Sequence, residues 1–577
     1  MSIQIQQRQS AAEGIQSKSI HPVLSAVYAA RGVQAESELD YSLDHLLGLQ
    51  LLGGISQSNE ILYAALQTQQ KIVIVADFDA DGATSCALAM RALRMLGFQH
   101  VDFIVPNRFE YGYGLTPEIV SLALGKQPNL LITVDNGIAS HEGVAAAKAA
   151  GLQVIVTDHH LPAATLPDAD AIINPNLHDD PFPSKMLAGV GVIFYVMLAL
   201  RTYLRDIDWF TKQGIQQPNL ASLLDLVALG TVADVVPLDF NNRILVAQGL
   251  SRIRANHCIP GIRALLTFCR TAQDQVVASD LGFIVGPRLN AAGRLQDMSI
   301  GIQCLLADDE AVAMRLARQL DDLNSQRKDI EAEMQQQALD VLHKLEQDGL
   351  DLTTQFAITL FDPGWHQGVI GILASRLKER YHRPVVIFAR DKGETLKGSA
   401  RSVSGVHIRD VFDTIASQHP EIIHKFGGHA MAAGLSMSLA HLDTFRQALN
   451  DEIARHLNQE DLNGRILTDG ELTVQDISLE LAEIIRQSGP WGQGFPEPVF
   501  HGVFDVINRR IVGEKHLKLT LAQDGKLVDA IAFNTIDTDW PESLSQVRVV
   551  YRLDVNEFRA QRNLQLMIEN IEPHMAS

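Results

Sequence analysis

The sequence predicts a multidomain α/β protein: an open, mostly parallel sheet first, then a long helical connector, a second and smaller α/β unit, and a terminal β-domain. Three observations carry this. Apolar runs rich in Val and Ile, without strict alternation, recur between helix-like stretches from about 71 to 175, which is how strands buried on both faces read. A run free of Gly and Pro from about 309 to 347 has its apolar residues spaced by threes and fours. Beyond about 461 the pattern turns to short alternating runs.

Taken in order, the first 60 residues read as a helical and extended segment. The polar start, MSIQIQQRQSAAEG, has none of the basic, apolar and small-residue succession of a signal peptide. Strands are expected at KIVIVADFD (71–79), HVDFIVP (100–106), NLLITVDNG (129–137), LQVIVTDHH (152–160) and ADAIINP (169–175), with helices at TSCALAMRALRMLG and ASHEGVAAAKAAG between them. From about 186 to 300 the reading is mainly helical. The stretch Met186 to Leu200 is apolar over about 15 residues, short of the ~20 that span a bilayer. The run from 309 to 347 is one or two long amphipathic helices. As one rod of 1.5 Å per residue it would extend about 60 Å and tie two domains together; as a broken hairpin it would pack on one. The second α/β unit shows strands at FAITLFD and PVVIFAR, helices at HQGVIGILASRLKERY and HIRDVFDTIASQH, and the glycine-rich patch KFGGHAMAAGLSM. Boundaries are placed at 1–60, 61–300, 301–350, 351–460 and 461–577.

Composition narrows the function classes. A chain of 577 residues with 46% hydrophobic residues supports several cores. The four cysteines, Cys86, Cys258, Cys269 and Cys304, show neither CxxC nor zinc-like spacing, which suits reduced thiols in a soluble cytoplasmic protein with no membrane segment. The balance of 48 basic to 68 acidic residues, a net charge of -20, argues against a uniformly positive coat for nucleic acid. It leaves room for a focused groove, and for bound cations that offset carboxylates.

The residues able to carry chemistry stand where the strands end. Asp77, Asp79 and Asp81 follow IVIVA two apart, Asp135 follows LLITV, and Asp158, His159 and His160 follow LQVIVT. In open parallel sheets the crevice beyond the carboxyl ends of the strands is the binding site. Three carboxylates this close repel unless a cation offsets them, and oxygen ligands with an added imidazole suit manganese, or magnesium. Asp158-His159-His160 offers one ligand, one group facing a substrate and a supporting carboxylate. Asp234 is flanked by Val232, Ala233, Val235 and Val236, so it is expected to be buried and paired with a metal or an arginine. Solvated acidic turns and simple helix caps are the competing readings of the isolated motifs.

These motifs, in this order, resemble the DHH phosphoesterase superfamily, and within it the bacterial branch of single-strand-specific 5'-to-3' DNA exonucleases. DFDADG, TVDNG, the DHH triplet and Asp234 in GTVADVVPL correspond to its four metal-site motifs; GPRLNAAGR and KFGGHAMAAG correspond to motifs of its nucleolytic branch and its associated second domain. The resemblance covers the chain from about residue 40 to the end. It implies a catalytic domain of open parallel sheet, a DHHA1-like second domain and a terminal barrel resembling an OB-fold. It also implies two divalent ions, Mn2+ or Mg2+, bridged by Asp135. Asp77 would bind the first and Asp79 the second or the bridge, with His159 and Asp234 completing the site and His160 facing the scissile phosphate. Several branches carry a histidine four residues before the first aspartate; here that position is Val73, and Asp81 is the residue placed to compensate.

For the substrate, Arg288, Asn290 and Arg294 in GPRLNAAGRL and Ser399, Arg401 and Ser402 in LKGSARSVSG offer phosphate donors, as do the backbone amides of Gly427, Gly428 and His429. The competing reading of the first group is an arginine paired with Asp234 or Asp280. On the terminal barrel the candidates are Arg509, Arg510, Lys515, Lys518, Arg559 and Arg562, with Phe558 as a stacking ring. WGQGFPEPVF (491–500) reads as a rigid junction between the catalytic body and the barrel. The resemblance implies action on single-stranded DNA with single-strand-binding protein and a helicase; nothing in the sequence demands self-association, so a monomer is expected. Three rivals stay open: a small-substrate phosphohydrolase acting on pyrophosphate or short or cyclic oligonucleotides, an RNA-directed exonuclease, and a scaffold with a dead centre.

Overall fold

A computed structural model describes residues 3–9, 15, 17–107, 111, 114–269, 272–347, 354–458, 460–513, 516–533, 535, 545–558 and 561–574. The chain divides into two compact units, one of residues 7–321 with 467–577 and one of residues 1–6 with 322–466.

The first unit is built on a five-stranded sheet. Its strands are β1 (Ile72–Ala76), β2 (Val101–Ile104), β3 (Leu130–Val134), β4 (Gln153–Thr157) and β5 (Ala171–Ile173). All neighbours are parallel, and the spatial order is β2-β1-β3-β4-β5. The Val/Ile runs take this place because every residue of β1 and β3 is buried, on both faces. The order reverses between β1 and β3, so helices leave to opposite sides there and the crevice at their carboxyl ends opens.

Five helices position the rest: α1 (Ala80–Met95), α2 (Gly189–Asp206), α3 (Leu224–Ala233), α4 (Gly286–Leu295) and α5 (Glu310–Gln347). Helix α1 begins directly after β1, capped by Asp79, whose side chain accepts from the Gly82 amide at 3.0 Å. Helix α3 is mostly apolar and buried from Leu224 through Thr231, packed on α1 and α2. Helix α5 is one unbroken helix of 38 residues, so of the two forms expected for this run the single rod is the one adopted.

The terminal barrel closes from β11 (Phe500–Val512), β12 (His516–Gln523), β13 (Lys526–Ala532), β14 (Gln546–Phe558) and β15 (Gln561–Pro573), in the order β11-β12-β13-β15-β14. Alternation fills it with Phe504, Leu519, Leu521, Ala530, Val549 and Leu566. The 491–500 segment is the junction expected of it. The Leu238 amide donates to the Gln493 carbonyl at 2.7 Å, Trp491 and Phe495 stack at 5.2 Å, and the Arg243 guanidinium lies 4.3 Å over Phe495.

The second unit carries a mixed sheet of β6 (Ile358–Phe361), β7 (Val385–Arg390), β8 (Thr395–Arg401), β9 (Ile423–Gly428) and β10 (Ala432–Ser438), ordered β9-β10-β8-β7-β6. Only β6 and β7 are parallel; the other pairs are antiparallel. The glycine-rich patch is therefore a hairpin, β9 to β10.

Candidate metal centre

Four chain segments converge at the reversal point of the first sheet. Asp77 lies just past β1, its amide donating to the Val134 carbonyl at 3.3 Å. Asp135 lies just past β3 with φ +61, a left-handed backbone that turns the chain sharply at the strand end. The Asn136 side-chain amide, bonded to the carbonyls of Val75 and Val134 at 3.0 and 2.9 Å, ties the ends of β1 and β3 together. Asp158, His159 and His160 follow β4, and Asp234 caps the carboxyl end of α3.

The side chains meet. His159 Nε2 is 3.1 Å from Asp135 Oδ1, 3.5 Å from Asp234 Oδ2 and 4.0 Å from Asp81 Oδ2. Among the described residues three overlapping groups could hold a metal, each with its ligand atoms within 4.8 Å: Asp77, Asp79 and Asp135; Asp135, His159 and His160; and Asp81, His159 and Asp234.

Asp158 is the support for this array. Its Oδ1 accepts from the amides of His159 and His160 at 2.7 and 3.1 Å and lies 2.7 Å from His160 Nδ1; its Oδ2 accepts from the Ile138 amide at 2.9 Å. One buried carboxylate thus binds the loop carrying His159 to the loop carrying Asp135. Asn174 and Asn176, just past β5, donate to the carbonyls of His160 and His159 at 2.8 and 2.6 Å. Neither asparagine nor Asn136 was singled out from the sequence, although each stands at a strand end beside a motif that was.

Electrostatics matches the donor set to a cation. Burial, then the charges of Asp81, Asp79, Asp77 and Asp234, push the Asp135 carboxyl well above its ordinary range. Burial and Asp234 push Asp81 up to about 7, and burial and Asp79 push Asp234 up to about 7. Burial and the neighbouring His160 lower His159, favouring the neutral imidazole that ligates metals. Burial alone would raise Asp158, but the His160 hydrogen bond and charge outweigh it and the carboxyl lies below its ordinary range. Clustered acids forced towards protonation, with a neutral imidazole among them, are what a divalent ion relieves.

The sequence places Asp81 to compensate for the missing histidine, and it stands with His159 and Asp234 in one of the groups that could hold a metal. Its Oδ2 also accepts from the Gly189 amide at 2.6 Å and its Oδ1 from the Val190 amide at 2.9 Å, seating the amino end of α2. Val73 is fully buried inside β1. One sequence-based expectation is corrected: the surroundings of Asp234 are not a buried apolar shell. Val235 is 62% exposed, because the helix ends at Asp234 and the chain turns outward.

The expected substrate residues are distributed over both units. In the first, Arg288 pairs with neither Asp234 nor Asp280. Its guanidinium grips Asp321 through Nε and Nη2 at 2.9 and 2.8 Å, donates to the Ile284 carbonyl and lies 5.0 Å over Phe268. Asn290 accepts from the Ala80 amide at 2.8 Å and so braces the acidic turn; Arg294 lies on the same helix α4. In the second unit, Arg401 donates to Ser399 Oγ at 3.2 Å on β8, and Ser399 faces Gly434 of β10 across the ladder. Ser402 follows β8 and donates to the Val406 carbonyl at 2.8 Å. Gly427 and Gly428 close β9, and the His429 amide donates to the Ala432 carbonyl at 2.8 Å within the hairpin, which takes that amide away from any phosphate cradle. On the barrel, Lys518 pairs with Asp529 and Arg562 with Glu483 and Glu557, while Arg509 and Arg510 are exposed on β11. Lys515, Arg559 and the Phe558 side chain lie outside the described residues.

Comparison with known proteins matches three stretches: 71–231 to the DHH family N-terminal domain, 353–455 to the DHHA1 domain and 468–570 to the RecJ OB domain. The chain is 54% identical over 558 residues to the single-stranded-DNA-specific exonuclease RecJ of Dickeya dadantii, covering 96% of each. It is 52% identical over 555 residues to that of Escherichia coli, again covering 96% of each. Among solved structures, RecJ of Thermus thermophilus in complex with Mn2+ superposes with a TM-score of 0.79 at 28% identity, over 99% of this chain and 80% of that one. An exonuclease RecJ bound to manganese gives 0.58 at 33% identity, over 72% of this chain and all of that one.

Proposed function

The chain belongs to the RecJ family of single-stranded-DNA-specific exonucleases, and on that premise we propose how its own residues perform the reaction. The protein is a metal-dependent phosphodiester hydrolase that shortens single-stranded DNA, with manganese or magnesium as cofactor. Asp77, Asp79, Asp135, His159 and Asp234 would hold two divalent ions. The observation that supports this assignment is the sharing of Asp135, whose carboxylate belongs both to the group with Asp77 and Asp79 and to the group with His159.

Ions bound there supply Lewis acidity, which activates a water and offsets the charge that grows on the phosphate oxygens during in-line displacement. The protein supplies position. Asp158 fixes His160 through Nδ1, so Nε2 is the ring nitrogen that donates to a non-bridging oxygen of the scissile phosphate. Burial would lower His160, but the hydrogen bond and charge of Asp158 raise it to about 9 in the metal-free protein, favouring a proton on the ring. Asp81 holds α2 against the cluster and stands within reach of an ion at His159 and Asp234.

The polarity we infer is 5' to 3', releasing nucleoside 5'-monophosphates. Arg294, Ser399, Arg401, Gly428 and the His429 side chain are assigned to the DNA backbone, and single-strand-binding protein and a helicase to its supply. We infer a monomer. Among the described residues no helix is long and apolar enough to cross a membrane, and the four cysteines are free thiols, which supports a cytoplasmic place of action.

The test uses DNA labelled at the 5' or the 3' end, single-stranded or blunt duplex, with manganese, magnesium or chelator. Early release of labelled mononucleotide from the 5' end of single strands only is expected, abolished by chelator and by Asp135→Ala. Early release from the 3' end would refute the polarity. Intact DNA with hydrolysed dinucleotides or pyrophosphate would replace the polymer reading with the small-substrate one.

A further inference from the structure

The corrected surroundings of Asp234 expose an apolar wall that folding does not explain. Val235 is 62% exposed and has φ +64, a conformation that a β-branched residue adopts only under strain. Facing the same cavity is Phe283, 82% exposed, the most exposed large apolar residue among those described. Phe283 sits in a π-helical turn, Leu281–Val285, directly before α4, and such turns recur at functional sites. The turn is held tightly against α3. A Cβ built on Gly282 would lie 3.1 Å from Val232 Cγ1, and one on Gly286 would lie 3.1 Å from Ala233 Cβ. The cavity measures about 530 Å³, and its apolar lining includes Val236, Leu250 and Trp491. Its wall includes Val232 and Val235, on either side of Asp234 in the chain.

Resting on the exonuclease reading above, we propose that Phe283, with Val235 beside it, is a stacking platform for the nucleobase adjoining the scissile phosphate. The occupant follows from adjacency in the chain: Val235 directly follows Asp234, so the apolar wall begins one residue from the metal centre. A phosphodiester cleaved beside Asp234 carries a nucleoside on each side, and one of them is assigned to this wall. An aromatic face takes any base, because every base has a π-face, so the platform grips the strand without reading its sequence. A rigid perch also suits an end-directed enzyme, which must re-seat a new nucleotide after each cut. The strain at Val235 and the π-turn at Phe283 keep both side chains out of the core, where their hydrophobicity alone would draw them.

The test compares the full-length wild type with Phe283→Ala and Phe283→Trp on a single-stranded oligonucleotide. A companion series places one abasic residue at successive positions from the 5' end. Loss of one base stack raises KM for the strand roughly 5- to 100-fold in Phe283→Ala, with the loss falling in KM rather than kcat. Phe283→Trp restores it. In the wild type an abasic residue at the position next to the cut gives the same rise; in Phe283→Ala that abasic residue adds nothing further. An unchanged KM in Phe283→Ala, or abasic and Phe283→Ala effects that multiply, overturns the platform. A wild type inert on single strands would instead overturn the exonuclease reading, and that shows before any variant is made.

Discussion

Replacing Asp158 by asparagine tests whether the metal centre depends on the carboxylate that joins its two loops. Asp158 is 1% exposed and accepts four hydrogen bonds, three at Oδ1 and one, from Ile138, at Oδ2. An amide has one oxygen and one donor group. With its oxygen kept on the His159 and His160 side, its NH2 meets the Ile138 amide donor to donor. That forfeits one hydrogen bond to a charged acceptor, about 1.5–3 kcal/mol, and the remaining three weaken as the charge disappears. A total near 2–4 kcal/mol lowers Tm by roughly 2–5 °C for a unit of this size. The effect on the metal is larger in proportion. Asp158 fixes the loop of His159 relative to that of Asp135, and those two ligands stand 3.1 Å apart. Loss of such a supporting partner typically costs about 10- to 100-fold in metal affinity. The assay is the manganese concentration giving half-maximal nucleotide release, alongside Tm with and without manganese. A variant titrating at the wild-type manganese concentration, with an unshifted Tm, would refute the reasoning.

Two other predictions follow from the same geometry. In chelated protein, Asp81 and Asp234 hold protons up to about pH 7 that an unfolded chain releases near 4, so their stabilising contribution is complete below about 4 and lost as pH rises through about 7. The Tm of chelated protein should therefore fall between pH 5 and pH 8 and saturating manganese should remove that slope; the same slope with and without metal would count against the assignment. Gly189→Ala places a Cβ 2.6 Å from the Asp135 Cβ and 2.8 Å from its Oδ1, so activity should drop at least tenfold, with a matching loss of the manganese-induced rise in Tm. Wild-type kinetics in that variant would show that Asp135 has room to move.

The strands of the first sheet were legible because burial on both faces demands uninterrupted Val and Ile, and the acids were legible because they interrupt that pattern at each strand end. Asp77, Asp135 and His159 could thus be named before any tertiary contact was known. The hairpin nature of KFGGHAMAAG was not legible, since glycines permit a strand turn and a phosphate loop alike, and only pairing with β8 and β10 decides between them. Arg288 was legible as an arginine near the site but not as the partner of Asp321, which lies 33 positions on.

The sequence by itself determined the parallel sheet, the helical character of the 309–347 run and the chemical class of the centre, because each rests on a local pattern: apolar runs, a 3.6-residue period, carboxylates beside imidazoles. The tertiary structure alone decided roles within the centre. Asp81 resembles its neighbours in DFDADG, yet it meets the amides of Gly189 and Val190, more than a hundred positions away, and becomes the seat of a helix. Asp234 reads as buried among valines, yet α3 ends there and its next residue faces a cavity. Which donor an aspartate faces depends on where a distant helix begins, and that is fixed by the reversal of strand order between β1 and β3, not by the residues on either side of it.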